Sequence, residues 1–166
     1  MSVRITTKKD ALFAALKRTV PGIEAELKKA LIDTGEEITA AQKRFVPVRS
    51  GKLRGGKLRD SITWYWNDRR NQRIKYSQTF GTAIRPAASG LGIVVSVGNT
   101  KVRYAHLVEF GTKPHKQGGR FKGTMHPGTT PRPFFFPGYR LVKRRIKPRL
   151  TRAMTRAIKK AGFGSK

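Results

Sequence analysis

The sequence predicts an α+β fold: a long N-terminal helix, then an antiparallel β-sheet, then a basic C-terminal helix. Three observations predict it. Apolar residues recur at steps of three and four between Ile23 and Phe45. Alternating aromatic and β-branched runs occupy the middle, at 61–66 and 91–97. A second apolar stripe, crowded with Lys and Arg, runs from about 138 to 161. Strands gathered between helices favour an antiparallel sheet with the helices on one face.

Thr7-Lys8-Lys9-Asp10 has the spacing of a capping box, and Leu12, Phe13 and Leu16 follow as a short amphipathic helix. Pro21-Gly22 interrupts it. The stripe Ile23, Leu27, Leu31, Thr34, Ile38, Ala41 and Phe45 then describes one face of a helix, and Pro47 ends it. Residues 49–59 repeat Gly-Lys-Leu-Arg and read as a flexible basic loop. Ser61 to Trp66 alternates as a strand does. Ile74 to Ile84 suggests one or two strands, interrupted near Gly81. Leu91 to Val97 is a strand, with Gly98-Asn99 as its turn. Tyr104 to Phe110 suits a further strand or a short helix. Residues 111–133, rich in Gly, Pro, His and Lys, form a long arm, an interaction element or one disordered when free. Phe134, Phe135 and Phe136 form an apolar knot between Pro133 and Pro137. In the last helix Leu141, Val142, Ile146, Leu150, Met154 and Ile158 mark one side, and Pro148 should kink or split it. The expected division is an N-terminal extension at 1–22, one α+β domain at 23–161 and a tail at 162–166.

The charge is large and uneven. The chain has 166 residues, with 37 Lys and Arg against 9 Asp and Glu, a net of +28. Residues 1–68 hold 14 cations and 8 acids; residues 69–166 hold 23 cations and one acid. A polyanion or a large assembly is the expected partner, and self-repulsion argues against a free-standing enzyme. Lys143, Arg144, Arg145, Lys147, Arg149, Arg152, Arg156, Lys159 and Lys160 make the densest run. It suits phosphate, an acidic neighbour, or a plain solvated face. The lone acid, Glu109, should pair with Arg or Lys, within the chain or across a subunit boundary.

Catalytic readings find little support. There is no Cys, which excludes thiol catalysis, disulfides and Cys-based zinc sites. Gly51 and Gly56-Lys57 approach a phosphate-binding loop, but Leu58 stands where Ser or Thr must reach magnesium. His106, His115 and His126 with Glu109 do not have the spacing of a fixed metal site. Paired carboxylates for acid–base work are absent, and Ser61 with His106 has no third member. No cofactor or metal is expected. No run is long and apolar enough for a membrane span or a secretory signal. The aromatics could stack bases, but alternation at 61–66 favours the core.

Three motifs stand in order. Pro47-Val48-Arg49-Ser50-Gly51-Lys52-Leu53 precedes Leu58-Arg59-Asp60-Ser61-Ile62. Tyr104-Ala105-His106-Leu107-Val108-Glu109-Phe110-Gly111-Thr112 follows a strand. Arg132-Pro133-Phe134-Phe135-Phe136-Pro137 opens the last helix. Over about residues 25–160 the chain resembles the tail-component family of long-tailed bacteriophages, whose members act at the neck as head–tail connector or tail-completion proteins. Arg49 stands where the family has Asp, Ser50 where it has Thr, and Arg54-Gly55-Gly56-Lys57 reads as an insertion.

The resemblance implies a structural virion protein and not an enzyme, made in the host cytoplasm. It implies a ring of six or twelve copies around the DNA channel, touching other neck, portal or adaptor and tail proteins. Tyr104, Glu109, Phe110, Phe134, Phe135 and Phe136 are then candidates for subunit interfaces. Arg49, Lys52, Arg54, Lys57, Arg59, Lys143, Arg144, Arg145, Lys147 and Arg149 are candidates for facing channel DNA, without sequence preference, or acidic partners. The competing class is a basic RNA- or DNA-binding protein such as a ribosomal protein.

Overall fold

The computed structural model describes residues 15–47, 57–66, 80–84 and 91–163. The capping-box residues, most of the basic loop and residues 67–79 lie outside the described residues. The elements in order are α1 (Ile23–Phe45), α2 (Lys57–Asp60), β1 (Thr63–Trp66), β2 (Phe80–Ile84), β3 (Ile93–Val97), α3 (Ala105–Phe110), β4 (His115–Lys116), a 3-10 turn (Gly119–Phe121), β5 (Met125–His126) and α4 (Phe135–Lys160). The fold is α+β.

The predicted stripe of α1 is buried from Ile23 through Leu27, Leu31, Thr34 and Ile38 to Ala41. Phe45 departs from it and is 47% exposed, because the helix reaches its last turn there and Val46 takes the inward position. Gly22 precedes the helix at φ 85°, a left-handed conformation that glycine adopts without a Cβ clash.

Strand β3 is central, with β1 and β2 antiparallel on either side. Strand β2 runs through Gly81, which pairs with Ser96, so the expected interruption there does not occur. Ile93, Val95 and Val97 are buried. Helix α1 crosses β1 and β3 at Gly35, where a Cβ would come within 2.8 Å of Trp64 and 3.1 Å of Ile93. A larger residue would lift the helix off the sheet.

Helix α4 lies antiparallel along α1. Gly138 meets Gln42 near one end, and Arg156 and Lys160 meet Glu26 near the other. Phe135, Val142, Ile146, Ala153 and Ala157 are its buried face. Leu141, expected there, is 60% exposed: Leu141 and Val142 are adjacent on the helix, and only Val142 is in phase with the rest. Pro148 neither ends nor divides the helix, which is continuous from Phe135 to Lys160. Pro148 sits on the exposed side, and so does Arg144, whose carbonyl loses its helical donor to the missing N–H and can turn to water.

Residues 15–19 are helical, and Val20 is buried with Ile23, Leu27, Ala30, Ala153 and Ala157 in a second apolar cluster. The first cluster joins α1, the sheet and the start of α4 through Leu31, Ile38, Val95, Phe134 and Phe135. No helix among the described residues is long and apolar enough to cross a membrane.

Candidate assembly site

Helix α3 resolves the strand-or-helix ambiguity at 104–110, and its two sides do different work. On the inner side, Ala105 is fully buried and Glu109 is 3% exposed. Glu109 does not form the expected ion pair. One carboxylate oxygen accepts the backbone N–H groups of Phe134 (2.8 Å) and Phe135 (2.9 Å), and the other accepts that of Phe136 (3.1 Å). These are among the donors that the first turn of α4 leaves without intrahelical partners. The helix begins with Phe134, which has no side-chain oxygen to cap it. Glu109 supplies the cap from 25 residues upstream, with a negative charge at the positive end of the dipole.

The same region is tied by backbone contacts. Arg132 N–H donates to the Val108 carbonyl at 2.8 Å. Gly111, at φ 70°, has no room for a Cβ, which would lie 2.4 Å from the Thr129 carbonyl oxygen. The second and third sequence motifs therefore form one clasp that docks α4.

The outer side of α3 is apolar. Tyr104 is 40% exposed, Leu107 41% and Phe110 60%. Phe110 closes the helix and touches Phe136, ring centroids 6.0 Å apart. Phe134 and Phe135 are fully buried in the chain's own core, and Phe136 is half-buried. Leu107 was not singled out from the sequence. Its spacing of three from both Tyr104 and Phe110 becomes a stripe only once the segment is helical.

The basic candidates divide into paired and unpaired. Arg145 and Arg149 both hold Glu37, and Arg149 also donates to Thr34 Oγ1 at 3.2 Å. Burial pushes the Glu37 carboxyl up, and the hydrogen bonds from Arg149 and Arg145 more than reverse this, so it titrates below the ordinary carboxylate range. Lys160 and Arg156 hold Glu26, and Lys17 and Lys28 hold Glu24. Among the described residues no carboxylate pairs with Lys143, Arg144 or Lys147, which are exposed on the outer side of α4. Lys57 and Arg59 are exposed on α2. Arg49, Lys52 and Arg54 lie outside the described residues.

The histidines do not converge. His106 is on α3, and His115 and His126 stack on each other across β4 and β5, centroids 5.2 Å apart. Among the described residues no three His, Asp or Glu side chains gather as metal ligands. A cavity of about 310 Å³ between the start of α1 and the end of α4 includes Glu26 and Lys160, which neutralise each other.

The sequence profile of the family described as "Bacteriophage HK97-gp10, putative tail-component" matches residues 10–111. The chain belongs to this family. The match takes in α1, the sheet and α3 with the whole Tyr104–Phe110 run, and it stops where β4 and β5 begin. No curated protein and no solved structure matches the chain significantly. The family is one of phage tail components, structural parts that meet other phage structural proteins.

Proposed function

We propose that this tail component is a ring-forming subunit of the neck, a connector or tail-completion protein through which genomic DNA passes. The observation that carries this reading is the two-sided helix α3. Its inner side caps α4 through Glu109, while its outer side presents Tyr104, Leu107 and Phe110 to solvent within the segment that the family profile covers. A contiguous exposed apolar strip marks a protein contact. In a head-to-tail ring each copy meets its neighbour through two different patches, and closure leaves none exposed. Six or twelve copies are expected. Tyr104, Leu107 and Phe110 then line the subunit boundary. Lys143, Arg144 and Lys147, which no carboxylate among the described residues holds, face the DNA passage or acidic rings above and below.

The test is localisation in gradient-purified particles, by mass spectrometry and gold labelling of the C-terminus. Label at the head–tail junction in several copies per particle is the expected result. Particles that lack the protein would refute the reading.

A further inference from the structure

The segment expected as a long arm, an interaction element or one disordered when free, holds a folded ribbon, and the family profile does not reach it. At its base Thr112 and Thr129 exchange backbone hydrogen bonds of 3.0 and 3.1 Å. Beyond them His115 pairs with His126 and Lys116 with Met125, and Gln117 N–H donates to the Thr124 carbonyl at 2.8 Å. The stacked rings of His115 and His126 brace it. The ribbon nevertheless makes little use of its own domain: every residue from Lys113 to Met125 except Gln117 is exposed. Its order comes from its own hydrogen bonds, so it is organised before it meets a partner.

Its chemistry is that of an anion-binding arm. Residues 112–129 carry Lys113, Lys116, Arg120 and Lys122 and no acid. Among the described residues no carboxylate pairs with any of the four, in contrast to Arg145, Arg149, Arg156 and Lys160 on α4. At the tip, Phe121 is 62% exposed in the 3-10 turn between Arg120 and Lys122. Lys, three of the four cations here, is depleted in protein–protein interfaces, so a lysine-rich arm with an apolar tip suits a polyanion better. Duplex DNA offers both, phosphates for the cations and base steps that an apolar ring can wedge open. Two-stranded ribbons also enter the grooves of duplex DNA.

We propose that the 112–129 ribbon is an arm for duplex DNA, with Lys113, Lys116, Arg120 and Lys122 on phosphates and Phe121 as an apolar wedge at a base step. It reads no sequence. Phosphate contacts carry no sequence information. This inference does not need the neck position: it concerns the isolated chain, so particle localisation can fail while the arm still binds.

The experiment is fluorescence anisotropy of the full chain with a labelled duplex of about 30 base pairs, titrated between about 50 and 200 mM salt. The four-site variant Lys113→Gln, Lys116→Gln, Arg120→Gln and Lys122→Gln should lower the slope of log K against log salt by roughly 3. Phe121→Ala should weaken binding roughly tenfold and leave the slope unchanged, because it removes an apolar wedge and no charge. The positions are exposed, so both variants should melt with the wild type. Arm variants that bind the duplex as the wild type does would overturn the proposal. Equal affinity for polyglutamate, with the same dependence on Phe121, would overturn it in favour of an acidic protein partner.

Discussion

At the scale of single residues, Glu109 decides how the C-terminal half is attached. Its carboxylate accepts three backbone N–H groups in a site from which water is excluded. An amide in its place keeps one acceptor oxygen and turns an NH2 group toward at least one of those donors. Glu109→Gln should therefore destabilise the fold by about 2–4 kcal/mol, from a lost charge-assisted bond and an unsatisfied buried donor. Urea unfolding checks this, and a loss below about 0.5 kcal/mol would mean that the cap matters little. The lone acid among 23 cations was visible in the sequence, but its partner was not. Ion-pair reasoning looks for residue types, and a backbone N–H has none. The available signal was the start of α4, where Phe134, inside an apolar knot that keeps water away, offers no capping oxygen to the first N–H groups. Gly138 shows a similar blind spot. In an exposed helix Gly→Ala gains about 1 kcal/mol. Here the new methyl would lie 2.7 Å from Gln42 Cα and 2.8 Å from its backbone nitrogen. Main chain cannot move aside as a flexible side chain would. Gly138→Ala should reverse the sign and cost roughly 1–3 kcal/mol, read in the same unfolding experiment.

At the scale of elements, the antiparallel pair of α1 and α4 accounts for where much of the charge goes. The acids Glu24, Glu26 and Glu37 on α1 hold six cations, four of them from α4. Exposed pairs of this kind each contribute little, because solvent screens them and holding two long side chains costs entropy. Their common direction still has a consequence. All three carboxyls titrate below the ordinary value of 4.5: Glu24 through Lys17 and Lys28, Glu26 through Lys160, and Glu37 through Arg149 and Arg145 against the opposing effect of burial. A carboxyl depressed in the folded state contributes stability that is present above its unfolded value and lost as pH falls through its folded value. The urea midpoint should be level from neutral pH to about 5 and fall below that, and Glu37→Gln should make the acid fall shallower. A midpoint that rises on acidification would contradict the assignment. Both long helices were legible because their apolar period is carried by many residues. The ends and the ambiguous positions were not. Leu141 and Val142 are equally apolar and adjacent, so composition cannot say which one faces inward. Pro148 reads as a breaker unless its place on the solvent side is known. Residues 104–110 are too few for period two and period three to be told apart. The ribbon at 112–129 was hidden because its strands are two residues each and its bracing comes from paired histidines, not from an apolar run.

At the scale of the whole molecule, two kinds of surface remain after the fold has formed. One is the apolar strip of α3. The other is cationic, on the outer side of α4 and along the ribbon. A chain of net charge +28 does not associate with itself through charge, so the apolar strip is the part suited to contact between copies. Phe110→Ser should leave the melting temperature within about 2 °C of the wild type, since the ring is 60% exposed. It should also sharply reduce the number of copies recovered in purified particles by quantitative mass spectrometry. Tail-component character was legible from the three motifs, and the profile match over 10–111 agrees with it. The division of labour within those motifs, a cap inside and a strip outside, needed the fold, because it depends on which way each side chain of a six-residue helix faces. The most direct test of that division is a cryo-electron-microscopy reconstruction of the neck in intact particles. The account predicts a closed ring of this chain with Tyr104, Leu107 and Phe110 buried between adjacent copies and Glu109 still on the first turn of α4. A neck without this chain, or a ring in which the α3 strip faces solvent, would contradict it.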